Sequence, residues 1–255
     1  MAANTHLFLC LKDNYGVLLH DPASGATAAI DAPEAAPIEA ALKSTGWRLS
    51  DILVTHHHGD HTAGIAELKQ HHRCWVVAPQ REAGKIPLVD ETVREGDKVS
   101  VGNLSATVIE TPGHTAGHIS YWFPADKLVF AGDTLFSIGC GRVIEGTPEM
   151  MWASLLKLRD LPGGTQIYCG HEYTLANIRF AQTIEPDNRA LAVRGEEAAR
   201  QIAAGKPTIP TTIDQEKAAN PFLRADVPAV AASVGLAGKP AAQVFAEVRA
   251  RKNNF

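Results

Sequence analysis

The segment Thr55-His56-His57-His58-Gly59-Asp60-His61-Thr62 directly follows the apolar run Ile52-Leu53-Val54. In an extended chain His56 and His58 point to the same side and His57 to the other. If a helix begins near Asp60, its carboxylate and His61 face the same pocket. Imidazole and carboxylate are donors that zinc, iron and manganese accept. A histidine tag or solvated loop would not follow a buried strand, so the segment predicts a metal site.

The composition is that of an ordinary globular protein. The chain has 255 residues, of which 45% are hydrophobic and 20% charged, enough for one large domain and a smaller appendage. A net charge of -4 argues against general nucleic-acid binding. No apolar run approaches the ~18 residues of a membrane helix. Four scattered cysteines without a C-x-x-C spacing, and an N-terminus without a basic region or cleavage site, predict a reduced cytoplasmic protein.

Short strands and helices alternate in the first two thirds of the chain, and helices dominate after about residue 174. This order predicts the α+β class. Strands are predicted at 6–11, 15–20, 26–31, 52–55, 74–78, 98–101, 104–110, 118–123, 128–132 and 166–169. Helices are predicted at 34–45, 62–71, 149–161, 174–184, 187–204, 213–218 and 239–251.

The same pattern, a strand followed by a turn residue and then a ligand-type residue, occurs four times. The ligand-type residues in these four places are His56, His114, Asp133 and His171. With His58, Asp60 and His61 the donors number seven, too many for one catalytic zinc, which takes about three protein ligands. Seven donors suit two ions if one donor is shared. A carboxylate has two oxygens and can bridge, so Asp133, which stands apart from the tract, is the predicted bridge.

Several motifs resemble the metallo-β-lactamase superfamily and, within it, the glyoxalase II (hydroxyacylglutathione hydrolase) family. They are T-H-x-H-x-D-H, T-P-G-H-T-x-G-H, G-D-T-L-F, G-H-E-Y-T, Asn220-Pro221-Phe222 and a final Arg-x-x-Lys. The resemblance implies a four-layer αββα sandwich as the catalytic domain over 1–172. It implies a helical substrate-binding domain over 173–255.

The resemblance also implies a ligand set. One metal takes His56, His58 and His114, the other takes Asp60, His61 and His171, and Asp133 bridges them. The expected ions are two zinc ions per chain, with iron or manganese as alternatives. A hydroxide shared by the metals would attack a thioester carbonyl, and Asp60 would help to orient it. The leaving thiolate, with an ordinary thiol pKa near ~8.5, needs no dedicated acid.

The implied substrate is S-(2-hydroxyacyl)glutathione, typically the D-lactoyl thioester formed in methylglyoxal detoxification. The resemblance carries glutathione contacts onto Arg142, Tyr173, Arg249 and Lys252. The last two are three residues apart on one helical face, where they could offer two cations to one carboxylate. Ile144 stands where family members often have an aromatic residue, so this chain lacks one hydroxyl contact to the ligand.

Alternative functions are a lactonase, a β-lactamase, a mononuclear iron persulfide dioxygenase, an RNA-processing metallonuclease and a non-catalytic metal-binding protein. The missing export signal argues against a secreted β-lactamase, the second ligand triad against the dioxygenase, and the acidic charge against the nuclease.

We expect a monomer without nucleic-acid or membrane partners. His57 is predicted to be structural. For His118 and Asp31 the sequence leaves open support of the ligands or an ordinary structural role.

Overall fold

A computed structural model provides the fold, which is described for residues 2–255. The chain divides into two compact units. The first comprises the chain up to residue 110 together with 115–132, and the second comprises 111–114 together with 133–255. Most of the strands lie in the first unit and most of the α-helices in the second.

A six-stranded mixed sheet forms the framework of the first unit, and its strands lie in chain order. They are β1 (Asn4–Cys10), β2 (Asn14–His20), β3 (Thr27–Ile30), β4 (Asp51–Leu53), β5 (Trp75–Pro79) and β6 (Glu91–Val93). The pairs from β1 to β3 are antiparallel, and those from β3 to β6 are parallel. Parallel neighbours need crossover connections. Helix α1 (Ala35–Thr45) connects β3 to β4, and α2 (Gly59–Thr62) and α3 (Ile65–His72) connect β4 to β5.

Two of these helices pack on the sheet. Ile38 and Leu42 of α1 and Leu68 of α3 lie in one buried cluster with Ile52 and Val76 from the central strands. Burying an aliphatic side chain of this size stabilises a fold by about 1.5–3 kcal/mol. The C-terminal end of β4, which precedes the histidine tract, is therefore anchored in this buried cluster.

A second, antiparallel sheet of this unit supports the histidine tract from β9. Its strands are β7 (Lys98–Val101), β8 (Leu104–Glu110), β9 (Ile119–Phe123) and β10 (Leu128–Gly132). The buried Tyr121 hydroxyl donates to the carbonyl oxygen of Val54 (2.9 Å), and the Ile119 N–H donates to the carbonyl oxygen of Thr55 (3.0 Å). These bonds satisfy the backbone where β4 has ended.

The second unit contains two short strand pairs and six helices among the residues described. The hairpin β11 (Leu135–Phe136) and β12 (Gly139–Cys140) and the pair β13 (Gln166–Cys169) and β14 (Thr211–Thr212) are antiparallel. The helices are α4 (Pro148–Arg159), α5 (Thr174–Ile184), α6 (Arg189–Ala203), α7 (Ile213–Ala219), α8 (Pro228–Ser233) and α9 (Ala241–Asn253). Side-chain caps begin three of them, and Asn188 caps α6 by accepting from the Leu191 N–H. Thr147 caps α4 by accepting from the Met150 N–H, and Thr212 and Gln215 form a capping box on α7.

The predicted strands and helices are present, with bounds shifted by a few residues and 62–71 divided between α2 and α3. The strand predicted at 52–55 ends at Leu53, because the next two carbonyls bond to β9 instead. The prediction missed β6, β11, β12, β14 and α8. Strands of two or three residues are too short to show an alternating pattern. Within 2–255 the structure contains no helix whose length and apolarity would let it cross a membrane.

Substitution of Gly64 tests how closely the first unit is packed. A Cβ added to Gly64 would lie 2.8 Å from the backbone nitrogen of Ala35, which cannot rotate away. We expect Gly64→Ala to lower the free energy of unfolding by about 1–3 kcal/mol, measured by denaturant titration. Gly84, where an added Cβ meets nothing within 4 Å, is the matched control. Equal stability of Gly64→Ala and Gly84→Ala would contradict this expectation.

Candidate metal centre and adjoining cavity

Four predicted ligands come together in the first unit, after the end of β4. His56 Nε2 lies 3.1 Å from His58 Nδ1, so the two rings converge as the alternation predicts. Helix α2 begins at Gly59 and carries Asp60 and His61, whose Oδ2 and Nε2 atoms lie 3.7 Å apart. His56 and His61 are almost completely buried, at 0% and 1% exposure. The tract is therefore a set of converging donors and not a solvated loop.

A buried carboxylate orients two parts of this segment. Asp31 Oδ2 accepts hydrogen bonds from His61 Nδ1 (2.9 Å) and from the Thr55 hydroxyl (2.9 Å), and Oδ1 accepts from the Thr55 N–H (2.7 Å). Asp31 has a φ of 57°, a left-handed conformation that aspartate tolerates better than most residues. The sequence left open whether Asp31 supports a ligand or has an ordinary structural role. Its hydrogen bond to His61 shows that it contacts a predicted ligand.

Neighbours also fix His56 and Asp60. Because the Thr55 hydroxyl donates to Asp31, its oxygen accepts from His56 Nδ1 (3.0 Å), which leaves the His56 Nε2 lone pair directed toward His58. The buried His118 ring stacks on His56 with the centroids 4.9 Å apart. Asn14 Nδ2 donates to Oδ2 (3.2 Å) and to the carbonyl oxygen (3.0 Å) of Asp60. Outer contacts thus set the direction of these donors.

Three predicted ligands come together in the second unit. Asp133 Oδ2 lies 3.4 Å from His114 Nε2 and 3.3 Å from His171 Nε2, so one carboxylate oxygen faces two imidazoles. His114 Nδ1 donates to the backbone carbonyl of Arg142 (2.9 Å). All three ligand side chains are buried. This is the arrangement expected of a carboxylate that serves two ions.

The hydrogen bonds test whether these residues fit metal ions. His61 and His114 each donate from Nδ1 to a group that can only accept, so a neutral ring directs the Nε2 lone pair at Asp60 or Asp133. Two facing acceptors repel each other unless a proton or a metal cation lies between them. Two ligands of a tetrahedral ion with bonds of ~2.0–2.1 Å lie about 3.3–3.4 Å apart, close to the observed separations. All seven predicted ligands belong to groups of His and Asp that could hold a metal ion.

A cavity of about 410 Å³ in the second unit joins two of these ligands to the predicted substrate contacts. Its polar walls include His114 and Asp133, and it also contains all four residues assigned to the substrate, Arg142, Tyr173, Arg249 and Lys252. The Tyr173 ring stacks on His171, with the centroids 4.9 Å apart and the planes within 3°. Ile144, at the position where the resemblance predicts an aromatic residue, is 57% exposed.

The two cations of α9 differ in what they already bind. Arg249 is buried, donates to the carbonyl oxygen of Cys140 (2.9 Å) and lies over the Phe222 ring. Lys252 is half-buried, and its Nζ donates to the carbonyl oxygen of Ala176 (3.0 Å). Burial, and then the nearby positive charges of Arg249 and Arg179, lower the pKa of Lys252 to about 8. The structure therefore gives Arg249 a packing role in addition to the predicted contact.

Sequence reasoning missed the residues that hold the β11–β12 hairpin at the cavity. Glu216 of α7, which is completely buried, accepts the N–H of Ile138 (2.8 Å) at the hairpin turn. Asn220 Nδ2 donates to the carbonyl oxygen of Gly139 (3.0 Å). Burial raises the pKa of Glu216. The Asn220-Pro221-Phe222 motif was a signal for Asn220, but a single glutamate in a helix gave none.

Comparison with known proteins gives matches over nearly the whole chain. The model of the metallo-beta-lactamase superfamily matches residues 8–171, and that of the hydroxyacylglutathione hydrolase C-terminus matches residues 172–255. A hydroxyacylglutathione hydrolase of Rhodopseudomonas palustris (strain BisB5) is 63% identical over 254 residues, covering 100% of both chains. One from Nitrobacter hamburgensis is 62% identical over 253 residues, covering 99% of both.

Solved structures share the fold at lower identity. ETHE1 from Myxococcus xanthus gives a TM-score of 0.70 at 26% identity, covering 99% of this chain and 92% of that one. TTHA1623 in a di-iron-bound form gives 0.57 at 27% identity, covering 64% and 89%.

The position of Asp133 leads to a prediction about metal content. Because its Oδ2 atom faces both His114 and His171, Asp133→Ala should lower the content of divalent metal at both positions. Elemental analysis after dialysis, with zinc supplied during refolding, measures this. The exposed Asp187, replaced by alanine, is the matched control and should retain the wild-type content. Two tightly bound ions in Asp133→Ala would refute the shared role of this carboxylate.

Proposed function

Because the chain belongs to the hydroxyacylglutathione hydrolases of the metallo-β-lactamase superfamily, we propose that it hydrolyses S-(2-hydroxyacyl)glutathione. The products are glutathione and a 2-hydroxy acid, which is D-lactate for the typical D-lactoyl substrate of methylglyoxal detoxification. The predicted α+β fold with a C-terminal helical part is confirmed by both family models. The observation that carries the function is the cavity in which His114 and Asp133 lie with the predicted glutathione contacts.

The proposed centre holds two divalent ions. His56, His58 and His114 would hold one, Asp60, His61 and His171 would hold the other, and Asp133 would be shared by both. The facing acceptors described above support metal binding in both units, and the oxygen of Asp133 that faces two imidazoles supports the bridge. The similar TTHA1623 structure is of a di-iron-bound form. Zinc is our proposed metal, with iron and manganese as alternatives that the same donors accept.

Divalent ions held by these residues would supply Lewis acidity toward the thioester carbonyl and toward an attacking water. Asp60, held by Asn14, would orient that water by accepting a hydrogen bond from it. The departing glutathione thiolate, with an ordinary thiol pKa near ~8.5, leaves without a proton donor. The protein's own task is therefore to hold ligands and substrate in register.

The side chains that line the cavity are proposed to bind glutathione. Arg142 is exposed and offers its guanidinium to a glutathione carboxylate, while its own backbone carbonyl holds His114. Lys252 offers a second cation, and the hydroxyl of Tyr173 offers a hydrogen bond beside His171. Arg249 lines the cavity and stabilises the carbonyl of Cys140 on its wall. A boundary between catalytic and substrate-binding domains after residue 172 belongs to this proposal, as do the monomeric state and a cytoplasmic location.

The direct test compares three substrates with the zinc-loaded protein. Release of thiol from S-D-lactoylglutathione, followed with a thiol reagent, should exceed the turnover of a homoserine lactone and of a structured RNA by orders of magnitude. The same assay with S-D-lactoyl-N-acetylcysteamine, which lacks the glutathione carboxylates, separates thioester chemistry from glutathione recognition. Faster turnover of the lactone or the RNA than of the glutathione thioester would refute the proposed substrate.

The lowered pKa of Lys252 gives a pH dependence with a defined sign. The ammonium group is charged below a pKa of about 8 and neutral above it, so its attraction for a glutathione carboxylate is lost as the pH rises through this value. We expect the KM of the wild type to rise about 3- to 10-fold across this range with little change in kcat. Lys252→Arg should retain a low KM, because guanidinium stays protonated.

Lys252→Met should show the high KM at every pH, and Lys239→Met, at an exposed position, should behave as the wild type. Kinetics at saturating zinc, with the uncatalysed hydrolysis subtracted, measure all four proteins. An alkaline rise in KM that persists unchanged in Lys252→Arg would assign the effect to another group.

A further inference from the structure

Glu82 is a buried carboxylate that the sequence did not single out. It is 2% exposed and lies just before the 3-10 turn Ala83–Lys85 in the first unit. Its Oε2 atom accepts from the backbone N–H of His57 (2.8 Å) and from His57 Nδ1 (2.9 Å), and its Oε1 atom accepts from the Gly117 N–H (2.7 Å). Glu82 thus ties together two segments of the chain that are 60 residues apart, near the end of β4 and before β9.

The first of these segments carries ligands on both sides of the contact. His57 stands between His56 and His58, in a stretch that belongs to no helix or strand. A stretch without ladder hydrogen bonds needs other contacts to fix its dihedral angles. Lys85 Nζ lies 3.5 Å from His57 Nε2, so the ring accepts at Nε2 and donates from Nδ1 to Glu82. His57 was predicted to be structural. The structure shows that its backbone N–H and its ring both donate to the carboxylate of Glu82.

The second segment reaches His56 by another route. A Cβ added to Gly117 would lie 2.7 Å from Cγ of Glu82, so only glycine allows this close approach. The next residue, His118, is completely buried and stacks on the His56 ring. Holding Gly117 therefore also holds the face against which His56 packs.

We propose that Glu82 is a positioning residue, which aims His56 and His58 at the metal ion assigned to them. This inference rests on the proposed binuclear centre. It is selective for one ion, because Asp60 and His61 are held by other residues, Asn14 and Asp31. Glu82 acts through hydrogen bonds to the chain and its role is distinct from that of the ligands themselves.

Zinc affinity tests this role. Glu82→Gln keeps the shape of the side chain but leaves one acceptor oxygen, so it cannot accept at both ends. Competition against a chromophoric chelator should show one of the two zinc ions bound about 10- to 100-fold more weakly, as for other residues that support metal ligands. The second ion should change by less than about threefold. Excess zinc should restore thioesterase activity with an unchanged KM, which a misfolded protein would not do.

Glu39→Gln is the matched control. Glu39 Oε1 accepts from His71 Nδ1 (3.0 Å) and His72 Nε2 (2.9 Å) on the surface of the same unit, so the same substitution removes a carboxylate charge from comparable histidine contacts without touching a ligand segment. Its two zinc affinities should equal those of the wild type.

A milder variant covers the possibility that Glu82→Gln does not fold. His57→Ala removes the ring contact and keeps the backbone and Gly117 contacts, so the same ion should bind about 3- to 10-fold more weakly. In the cobalt-substituted protein the visible absorption of one ion should change in both variants.

Wild-type affinity for both ions in folded Glu82→Gln, or in His57→Ala if the former does not fold, would overturn the inference and leave the hydrolase function intact. Equal weakening of both ions, with no rescue by excess zinc, would also overturn it by assigning Glu82 to general stability. Absence of zinc binding by the wild type would refute the proposed centre itself.

Discussion

The direction of the imidazole lone pairs is the constraint on which the centre depends. A neutral histidine has one donor and one acceptor nitrogen, so a partner that can only accept determines which nitrogen remains for a metal. Asp31 does this for His61, and the backbone carbonyl of Arg142 does it for His114. In both cases the remaining nitrogen faces a carboxylate oxygen. Two such acceptors repel each other unless a proton or a metal cation lies between them, so a bound ion would link metal binding to local order.

The fold supplies these fixed partners by ending its elements where the ligands begin. In the first unit β4 is anchored by the packed helices α1 and α3, and the next carbonyls are taken up by Tyr121 and Ile119 of β9. In the second unit a helix residue, Glu216, holds the hairpin turn at Ile138. His56, His58, His114 and Asp133 therefore lie on backbone outside the helices and strands, while Asp60 and His61 lie in the short helix α2. Such a scaffold keeps ligands in register while the loops beyond remain available to substrate.

The sequence predicted the parts of this arrangement that are encoded locally. A strand followed by a ligand is visible in a few consecutive residues, and the spacing of His56 and His58 determines which side they face. The supporting residues could not be predicted in this way. Glu82 contacts residues that lie 25 and 35 positions away in the chain, Glu216 contacts a turn 78 positions away, and Arg142 acts through its backbone. Their roles depend on tertiary contacts, and no period or motif in the sequence records them.

The cations of α9 show that a residue predicted from helical spacing can have contacts which the spacing does not reveal. Helical spacing places Arg249 and Lys252 on one face, and both do line the cavity. Yet the guanidinium of Arg249 is already committed to the carbonyl of Cys140 and to the Phe222 ring, so replacing it removes packing as well as charge. Its buried charge also depresses the pKa of Lys252, after burial the largest cause. A carboxylate that approaches Lys252 opposes both effects and restores the ammonium form. With a pKa of about 8, Lys252 is therefore the cation whose charge would respond to an approaching carboxylate, while Arg249 forms part of the same cavity wall.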